Sequence, residues 1–109
     1  MSKLTLKKEP TLKDFQEYVK DMRVERNFSD ETIIEECLLL GEEVGELFKA
    51  IRKHKTEIAF DNKNSKVTQV EEELSDVLTM LICVANNAGV DIEQAFRYKE
   101  EINKKRRWT

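Results

Sequence analysis

A chain of 109 residues is long enough for one domain, and we expect a single domain over residues 1–109. Its 19 basic and 22 acidic side chains give a net charge of −3, so the composition provides no overall basic field that would indicate nucleic-acid binding. No apolar run approaches the roughly 18 residues of a membrane span, and the polar N-terminus lacks the apolar core of a signal peptide. We therefore expect a cytoplasmic protein with neither a nucleic-acid nor a membrane partner.

Apolar residues at helical spacing predict an all-α fold, and the first two helices lie in the N-terminal half of the chain. The first is expected to begin after Thr11, a capping residue, and to end near residues 25–27. The second is expected to be capped by Ser29 or Asp30 and to end at about residues 53–55. A loop rich in Asp, Asn and Ser follows.

The third and fourth helices are predicted in the C-terminal half. The third is expected to begin near Ser65 and to end at Ala88, where a glycine stops it. Asp91 is the expected cap of the fourth, with Gln94 completing a capping-box pattern, and that helix is expected to continue through Trp108. Short connections favour antiparallel neighbours, so the sequence predicts an antiparallel bundle of about four helices.

Two of these helices carry carboxylates inside their apolar stripes. Since each helical residue advances about 100° around the axis, Glu43 falls within the apolar face of the second helix and Glu73 within that of the third. Glu46 and Asp76 each lie three residues further on, about 60° round and at the edge of the stripe. If the two helices pack side by side, these four carboxylates converge.

A cluster of four carboxylates needs a counter-charge, because desolvation and like charges both disfavour the ionised form. An oxygen-only ligand set suits Mg²⁺ or Mn²⁺. Zinc and di-iron sites commonly use several histidine ligands, and the chain has one histidine, so the sequence does not favour either site. The ordinary alternative is a set of solvated surface glutamates, but two helices that each bury a carboxylate favour a metal site.

The fourth helix interrupts its apolar face with hydrogen-bond donors. Asn103 falls within about 20° of Ile92 and Phe96, Lys99 lies about 40° away, and Arg106 lies at the edge of the same face. Such donors beside a metal site suggest an anionic, oxygen-rich ligand such as a polyphosphate. The alternative is that long cationic side chains simply extend to solvent at a helix end.

Three sequence elements together resemble a known family. They are "EEVGEL" at 42–47, "ELSD" at 73–76 and "ANNAGVDIEQAFRYKEEINKKR" at 85–106. In this combination the chain resembles the MazG-like nucleotide pyrophosphohydrolases of the all-α NTP pyrophosphatase superfamily, whose relatives include dimeric dUTPases and phosphoribosyl-ATP pyrophosphohydrolases. The resemblance covers about residues 12–108.

The resemblance implies a reaction and a set of residues for it. Family members hydrolyse nucleoside and deoxynucleoside triphosphates to the monophosphate and pyrophosphate with Mg²⁺, which fits a housecleaning role for the nucleotide pool. The resemblance implies that Lys99, Asn103 and Arg106 bind substrate. It also implies that the metal-ligating and catalytic residues are the carboxylates already selected by geometry: Glu43, Glu46, Glu73 and Asp76.

The resemblance also implies a homodimer or homotetramer in which subunits complete the bundle, and apolar positions on long helices agree with this. Two other functions stay open: a related phosphoanhydride hydrolase acting on phosphoribosyl-ATP or an unusual nucleotide, and a non-catalytic helical interaction module. We expect Cys37 and Cys83 to be core residues of a protein that lies in a reducing compartment. The candidate base-stacking side chains, each of which could instead be core, are Phe15, Phe28, Phe60 and Trp108.

Overall fold

The computed structural model describes residues 1–61 and 66–108. It contains four helices and, in those residues, no strand, so the predicted all-α class is confirmed. Two compact units make up the chain. One consists of Met1–Glu31 with Ile82–Thr109, and the other of Thr32–Leu81.

Helix α1 (Leu12–Glu25) begins where the sequence predicts. The Thr11 hydroxyl accepts from the Asp14 backbone N–H at 3.1 Å, and an Asp14 carboxylate oxygen accepts from the Thr11 N–H at 2.9 Å. This reciprocal capping box satisfies two of the backbone donors that a helix start leaves free. Val19 and Arg23 are the buried residues of the helix.

Helix α2 (Ile33–Lys55) begins later than predicted. Its cap is Thr32, not Ser29 or Asp30, since the Thr32 hydroxyl accepts from the Glu35 N–H at 3.2 Å and Glu35 accepts in return from the Thr32 N–H at 2.9 Å. Only Thr32 has a glutamate three residues on, and the second hydrogen bond of the box decides between neighbouring capping residues.

Helix α3 (Val70–Asn87) also begins later than the sequence predicts, and the predicted start at Ser65 lies outside the described residues. The Gln69 N–H donates to Glu72 Oε2 at 3.0 Å, and the Glu73 N–H donates to the Gln69 carbonyl at 3.3 Å. At the other end Gly89 adopts a φ of 70°, the left-handed conformation that closes a helix and that glycine takes without steric cost.

Helix α4 (Ile92–Asn103) is capped by Asp91, as predicted, whose carboxylate accepts from the Gln94 N–H at 2.9 Å. The helix ends at Asn103 and does not continue through Trp108. Tight bonds of the i to i−3 type close the last turn, from the Lys105 N–H to the Ile102 carbonyl and from the Arg106 N–H to the Asn103 carbonyl, both at 3.1 Å. The Trp108 indole N–H donates to the same Asn103 carbonyl at 3.3 Å.

In the unit that contains α1 and α4, these two helices pack against each other. Gln16 fixes their register, because its Nε2 donates to the Val90 carbonyl and its Oε1 accepts from the Ile92 N–H, each at 2.9 Å. Asn86, at the end of α3, donates to the Gln16 carbonyl at 2.9 Å and so links α3 to α1. The start of α4 is thus held by the side chain of a single residue of α1.

A buried guanidinium lies in the same unit. Arg23 donates to Cys83 Sγ at 3.3 Å, to Glu31 Oε2 at 3.2 Å and to the Phe28 carbonyl. Cys83 is buried, as predicted, whereas Cys37 on α2 is exposed in the chain, which corrects the prediction that both cysteines are core residues. No helix among the described residues combines the length and the apolar character needed to cross a membrane.

Candidate metal centre

Three carboxylates converge in the unit that contains α2. One oxygen each of Glu43, Glu73 and Asp76 lies within 4.8 Å of the others. Glu43 comes from the middle of α2, whereas Glu73 and Asp76 come from adjacent turns of α3. The prediction that the two helices bring these acids together is therefore confirmed for three of the four residues.

The burial of these residues follows the helical periodicity. Glu73 is buried, with 4% of its surface exposed, and Glu43 is half-buried, while Asp76 and Glu46 are exposed. Glu36, two turns before Glu43 on the same face of α2, is also buried. The sequence thus correctly separates the acids within the apolar stripes from those at the edge.

The two oxygens of Glu73 have different surroundings. Oε1 accepts a hydrogen bond from the Thr68 hydroxyl, which lies in the segment before α3. Oε2 is buried and has no hydrogen-bond donor among the described residues. Burial of a carboxylate oxygen without a hydrogen-bond donor costs folding free energy. The arrangement therefore indicates a binding site for a positively charged ligand.

Electrostatics in the cluster disfavour three full negative charges. Burial raises the pKa of Glu43, and the charges of Asp76 and Glu73, a hydrogen bond with Glu73 and the charge of Glu46 raise it further. Burial likewise raises the pKa of Asp76, with smaller contributions from Glu73 and Glu72. A divalent cation would remove this repulsion, and the oxygen-only donor set fits the ligand preference of Mg²⁺ or Mn²⁺.

Glu46 is placed differently from the other three. It is exposed on α2 and does not belong to the group of converging oxygens found in the described part of the chain. Its charge nevertheless contributes to the raised pKa of Glu43, one turn earlier. Its role as a metal ligand stays a prediction.

The three residues predicted to bind substrate lie in the other unit, on or just after α4. Lys99 and Arg106 are exposed and Asn103 is half-buried. Asn103 Oδ1 accepts from Arg106 Nη1 at 3.3 Å, and the Arg106 guanidinium lies 4.6 Å from the centre of the Trp108 ring. The structure therefore brings Asn103 and Arg106 together and adds an exposed indole beside them.

The other aromatic candidates for base stacking differ in exposure. Phe28 is exposed and Phe15 is half-buried. Phe60 is half-buried and lies under two cations, 4.6 Å from the Arg52 guanidinium and 5.4 Å from the Lys53 ammonium. Phe60 therefore already has stacking partners, whereas Trp108 keeps 70% of its surface exposed.

Sequence reasoning did not identify Thr68 as part of the site. The residue lies outside α3, where helical periodicity gives no direction for its side chain. A threonine shortly before an acidic helix start is also common in proteins without a site, as a capping residue. No signal in a single sequence would have distinguished the two roles.

Comparison with known proteins agrees with these features. A family model for the MazG nucleotide pyrophosphohydrolase domain matches residues 28–107, a range that includes the four candidate metal ligands and the three candidate substrate-binding residues of α4 and its C-terminal end. The uncharacterized protein YpjD of Bacillus subtilis (strain 168) is 34% identical over 77 residues, which cover 64% of this chain and 65% of YpjD. The chain thus spans slightly less than two thirds of the length of this curated relative.

Solved structures show the same fold. The crystal structure of YPJD from Bacillus subtilis superimposes with a TM-score of 0.73 at 28% identity, covering 92% of this chain and 100% of that chain. The cyanophage S-2L MazG-like pyrophosphohydrolase, bound to dGDP and three catalytic Mn²⁺ ions per active site, superimposes with a TM-score of 0.69 at 26% identity, covering 94% of this chain and 87% of that chain.

Proposed function

Because the chain belongs to the MazG nucleotide pyrophosphohydrolase family, we propose that it hydrolyses nucleoside and deoxynucleoside triphosphates to the monophosphate and pyrophosphate. The observation that carries the proposal is the convergence of Glu43, Glu73 and Asp76, with one buried oxygen of Glu73 that has no donor among the described residues. A divalent cation would compensate for the repulsion among these acids, and triphosphate hydrolysis is chemistry that such a cation assists. The family match extends across both units, which supports a single functional domain.

The proposed cofactor is Mg²⁺, with Mn²⁺ as a substitute, held by Glu43, Glu46, Glu73 and Asp76. The Mn²⁺ ions of the related cyanophage enzyme support a divalent metal here. When bound, the cation supplies positive charge that neutralises the triphosphate and lowers the pKa of nearby water. Glu73 and Glu43, the least exposed of the set, would hold the cation, and the exposed Asp76 and Glu46 would complete its ligand set.

The proposed reaction joins one water to the α-phosphorus and breaks the bond from that phosphorus to the oxygen that bridges it to the β-phosphate. Pyrophosphate leaves with that bridging oxygen, and one proton of the water is released. Lys99 and Arg106 would bind phosphate oxygens through charge-assisted hydrogen bonds. Asn103 would contact the nucleotide, and Arg106, which donates to the Asn103 side chain, would hold that amide in orientation.

We propose that the protein acts as a homodimer or homotetramer that buries one face of α2. This face consists of Ile34, Leu38, Gly41, Gly45 and Phe48, which recur at spacings of four and three residues and are all exposed in the single chain. Such spacing forms a continuous seam along one side of a helix, and exposed apolar side chains at this density mark an interface. The seam lies on the opposite side of α2 from Glu43.

The cellular role we propose is control of the nucleotide pool in the cytoplasm, where nucleoside triphosphates are present. The two cysteines do not form a disulfide with each other, which fits a reducing compartment. This role depends on which nucleotide is preferred, so the ranking of turnover across a panel of nucleoside triphosphates also tests it.

The direct test is pyrophosphate release from a panel of canonical and modified nucleoside triphosphates, with Mg²⁺, with Mn²⁺ and with EDTA. We expect metal-dependent pyrophosphate with an equal amount of monophosphate. Glu73→Ala should abolish turnover, whereas the exposed neighbour Glu71→Ala should not. Release of orthophosphate, or no turnover across the panel by folded protein, would favour a related phosphoanhydride substrate or an interaction module instead.

A further inference from the structure

We propose that Thr68 is a positioning residue of the metal centre, whose hydroxyl holds one oxygen of Glu73 so that the other is presented to the cation. This inference rests on the proposed function, because it concerns the same cluster of acids. It adds a residue that lies outside the two acidic motifs and outside all four helices.

The first support is the asymmetry of the Glu73 carboxylate. The Thr68 hydroxyl donates to Oε1, whereas Oε2 is buried without a donor among the described residues. One oxygen is therefore already bonded and the other is left for a ligand of opposite charge. Hydrogen bonds of this kind fix the orientation of a metal-ligating carboxylate and select the oxygen that binds the ion.

The second support is that Thr68 is itself held in place. Its backbone carbonyl accepts a hydrogen bond of 3.1 Å from His54 Nε2, near the end of α2. A carbonyl oxygen only accepts, so Nε2 of His54 carries the proton. The next residue, Gln69, is tied to α3 through its N–H, which donates to Glu72 Oε2 at 3.0 Å. The Thr68 backbone carbonyl and the following residue, Gln69, are thus both held by hydrogen bonds.

The contacts form a continuous path between the two helices of the cluster. It leads from His54 on α2 to the Thr68 backbone, and from the Thr68 hydroxyl to Glu73 on α3. Glu43 reaches the cluster from the same helix as His54. The contact from α2 to Thr68 therefore positions the α3 ligand relative to the α2 ligand.

Loss of the hydroxyl has a defined consequence. Without it, Glu73 Oε1 loses the hydroxyl that donates to it, while Oε2 has no donor among the described residues, so the orientation of the carboxylate is less restrained. Substitution of groups that orient metal ligands lowers metal affinity about 10–100-fold. We therefore expect Thr68→Val to raise the Mn²⁺ dissociation constant about 10–100-fold.

The experiment measures Mn²⁺ binding to the full chain by electron paramagnetic resonance, which reports free Mn²⁺ without requiring turnover. The variants are Thr68→Val, Thr68→Ser and Thr68→Ala, and the serine and alanine variants differ by a single oxygen atom. Thr79→Val is the matched control, because the Thr79 hydroxyl bonds at 2.9 Å to the Ser75 carbonyl of its own helix and not to an acid of the cluster. Circular dichroism confirms that each variant is folded.

We expect the wild type, Thr68→Ser and Thr79→Val to bind Mn²⁺ with similar affinity, and Thr68→Val and Thr68→Ala to bind it weakly. Equal affinity of the serine and alanine variants would overturn the role of the hydroxyl while leaving the proposed function intact. Failure of the folded wild type to bind Mn²⁺ would instead overturn the metal centre itself. If Thr68→Val does not fold, the comparison of serine with alanine still decides.

Discussion

A carboxylate oxygen of Glu43 lies within 4.8 Å of one of Glu73, although the two residues belong to different helices, α2 and α3. The two residues are separated along the chain by the end of α2 and a loop, so only the packing of these helices brings them together. Such proximity of two partly or fully buried acids opposes folding unless a proton or a cation compensates for it.

The first prediction concerns stability without metal. Burial and neighbouring charges raise the pKa of Glu43, so its ionised form opposes the folded state. We expect Glu43→Gln to stabilise the metal-free protein by less than about 1 kcal/mol, or at most roughly 4 °C in melting temperature, because solvent screens the repulsion at this half-buried side chain. Thermal unfolding in EDTA measures the change.

With Mn²⁺ added, we expect the wild type to have a higher melting temperature than Glu43→Gln, the reverse of the order in EDTA. A ligand that binds only the folded state at about 100 times its dissociation constant stabilises it by about 2.7 kcal/mol. We expect this gain for the wild type and not for Glu43→Gln. The exposed neighbour Glu42→Gln is the control and should behave as the wild type. A wild-type melting temperature that does not respond to Mn²⁺ would contradict the metal centre.

The acids of this cluster were the residues of the site that the sequence predicted best. Helical periodicity alone identifies Glu43 and Glu73 as inward-facing, because apolar residues on both sides of Glu43 and mainly after Glu73 define the buried face of each helix. The helix caps were predictable only in part. Thr11 and Asp91 stand alone as capping residues, whereas Ser29, Asp30 and Thr32 compete within four positions, and the glutamate three residues after Thr32 decides between them.

Features outside regular helices could not be predicted. Thr68 contributes through a side-chain direction that no periodicity describes, and beyond the end of α4 the Trp108 indole donates to the Asn103 carbonyl. Both are contacts of single polar groups in irregular backbone. Such contacts become visible only when the chain is folded, since many alternative partners are equally compatible with the sequence.

The second prediction uses the capping box of α1. The hydrogen bond from the Thr11 backbone, followed by that from the Lys7 side chain, holds the pKa of Asp14 below its ordinary value. A lowered folded-state pKa means that Asp14 stabilises the protein above the unfolded value and that this contribution is lost as the pH falls through the folded value. We therefore expect Asp14→Ala to lower the melting temperature at pH 7, with a difference that narrows below a pH of about 4.

Thermal unfolding of Asp14→Ala and wild type from pH 7 to pH 3 measures that narrowing. Asp21→Ala provides the control, since Asp21 is an exposed acid on the same helix outside the capping box. A difference between wild type and Asp14→Ala that stays constant down to the lowest pH would contradict the role of the ionised carboxylate in the cap.

The third prediction concerns the exposed face of α2. Leu38→Glu places a charge in the middle of the apolar seam, where burial in an interface would be strongly unfavourable. We expect the variant to be monomeric at concentrations at which the wild type is a dimer or tetramer, as measured by sedimentation velocity. Lys20→Glu, an exposed charge change on α1, should leave the assembly unchanged. A monomeric wild type would contradict the proposed interface.

The fourth prediction concerns substrate binding by α4. Lys99 is exposed in the free chain and is proposed to bind a phosphate oxygen, and a hydrogen bond to a charged group is worth about 1.5–3 kcal/mol. We expect Lys99→Ala to lower kcat/KM about tenfold or more, with most of the change in KM. The metal-induced rise in melting temperature should be retained, because Lys99 is not one of the clustered acids.

Lys105→Ala is the matched control for this change, since Lys105 is an exposed lysine just beyond the end of α4. A general loss of positive charge would affect both variants equally and would fade for both as salt is added. A specific phosphate contact would affect Lys99→Ala alone. Equal kinetics for the two variants would therefore exclude Lys99 from the substrate site, even if the reaction itself proceeds as proposed.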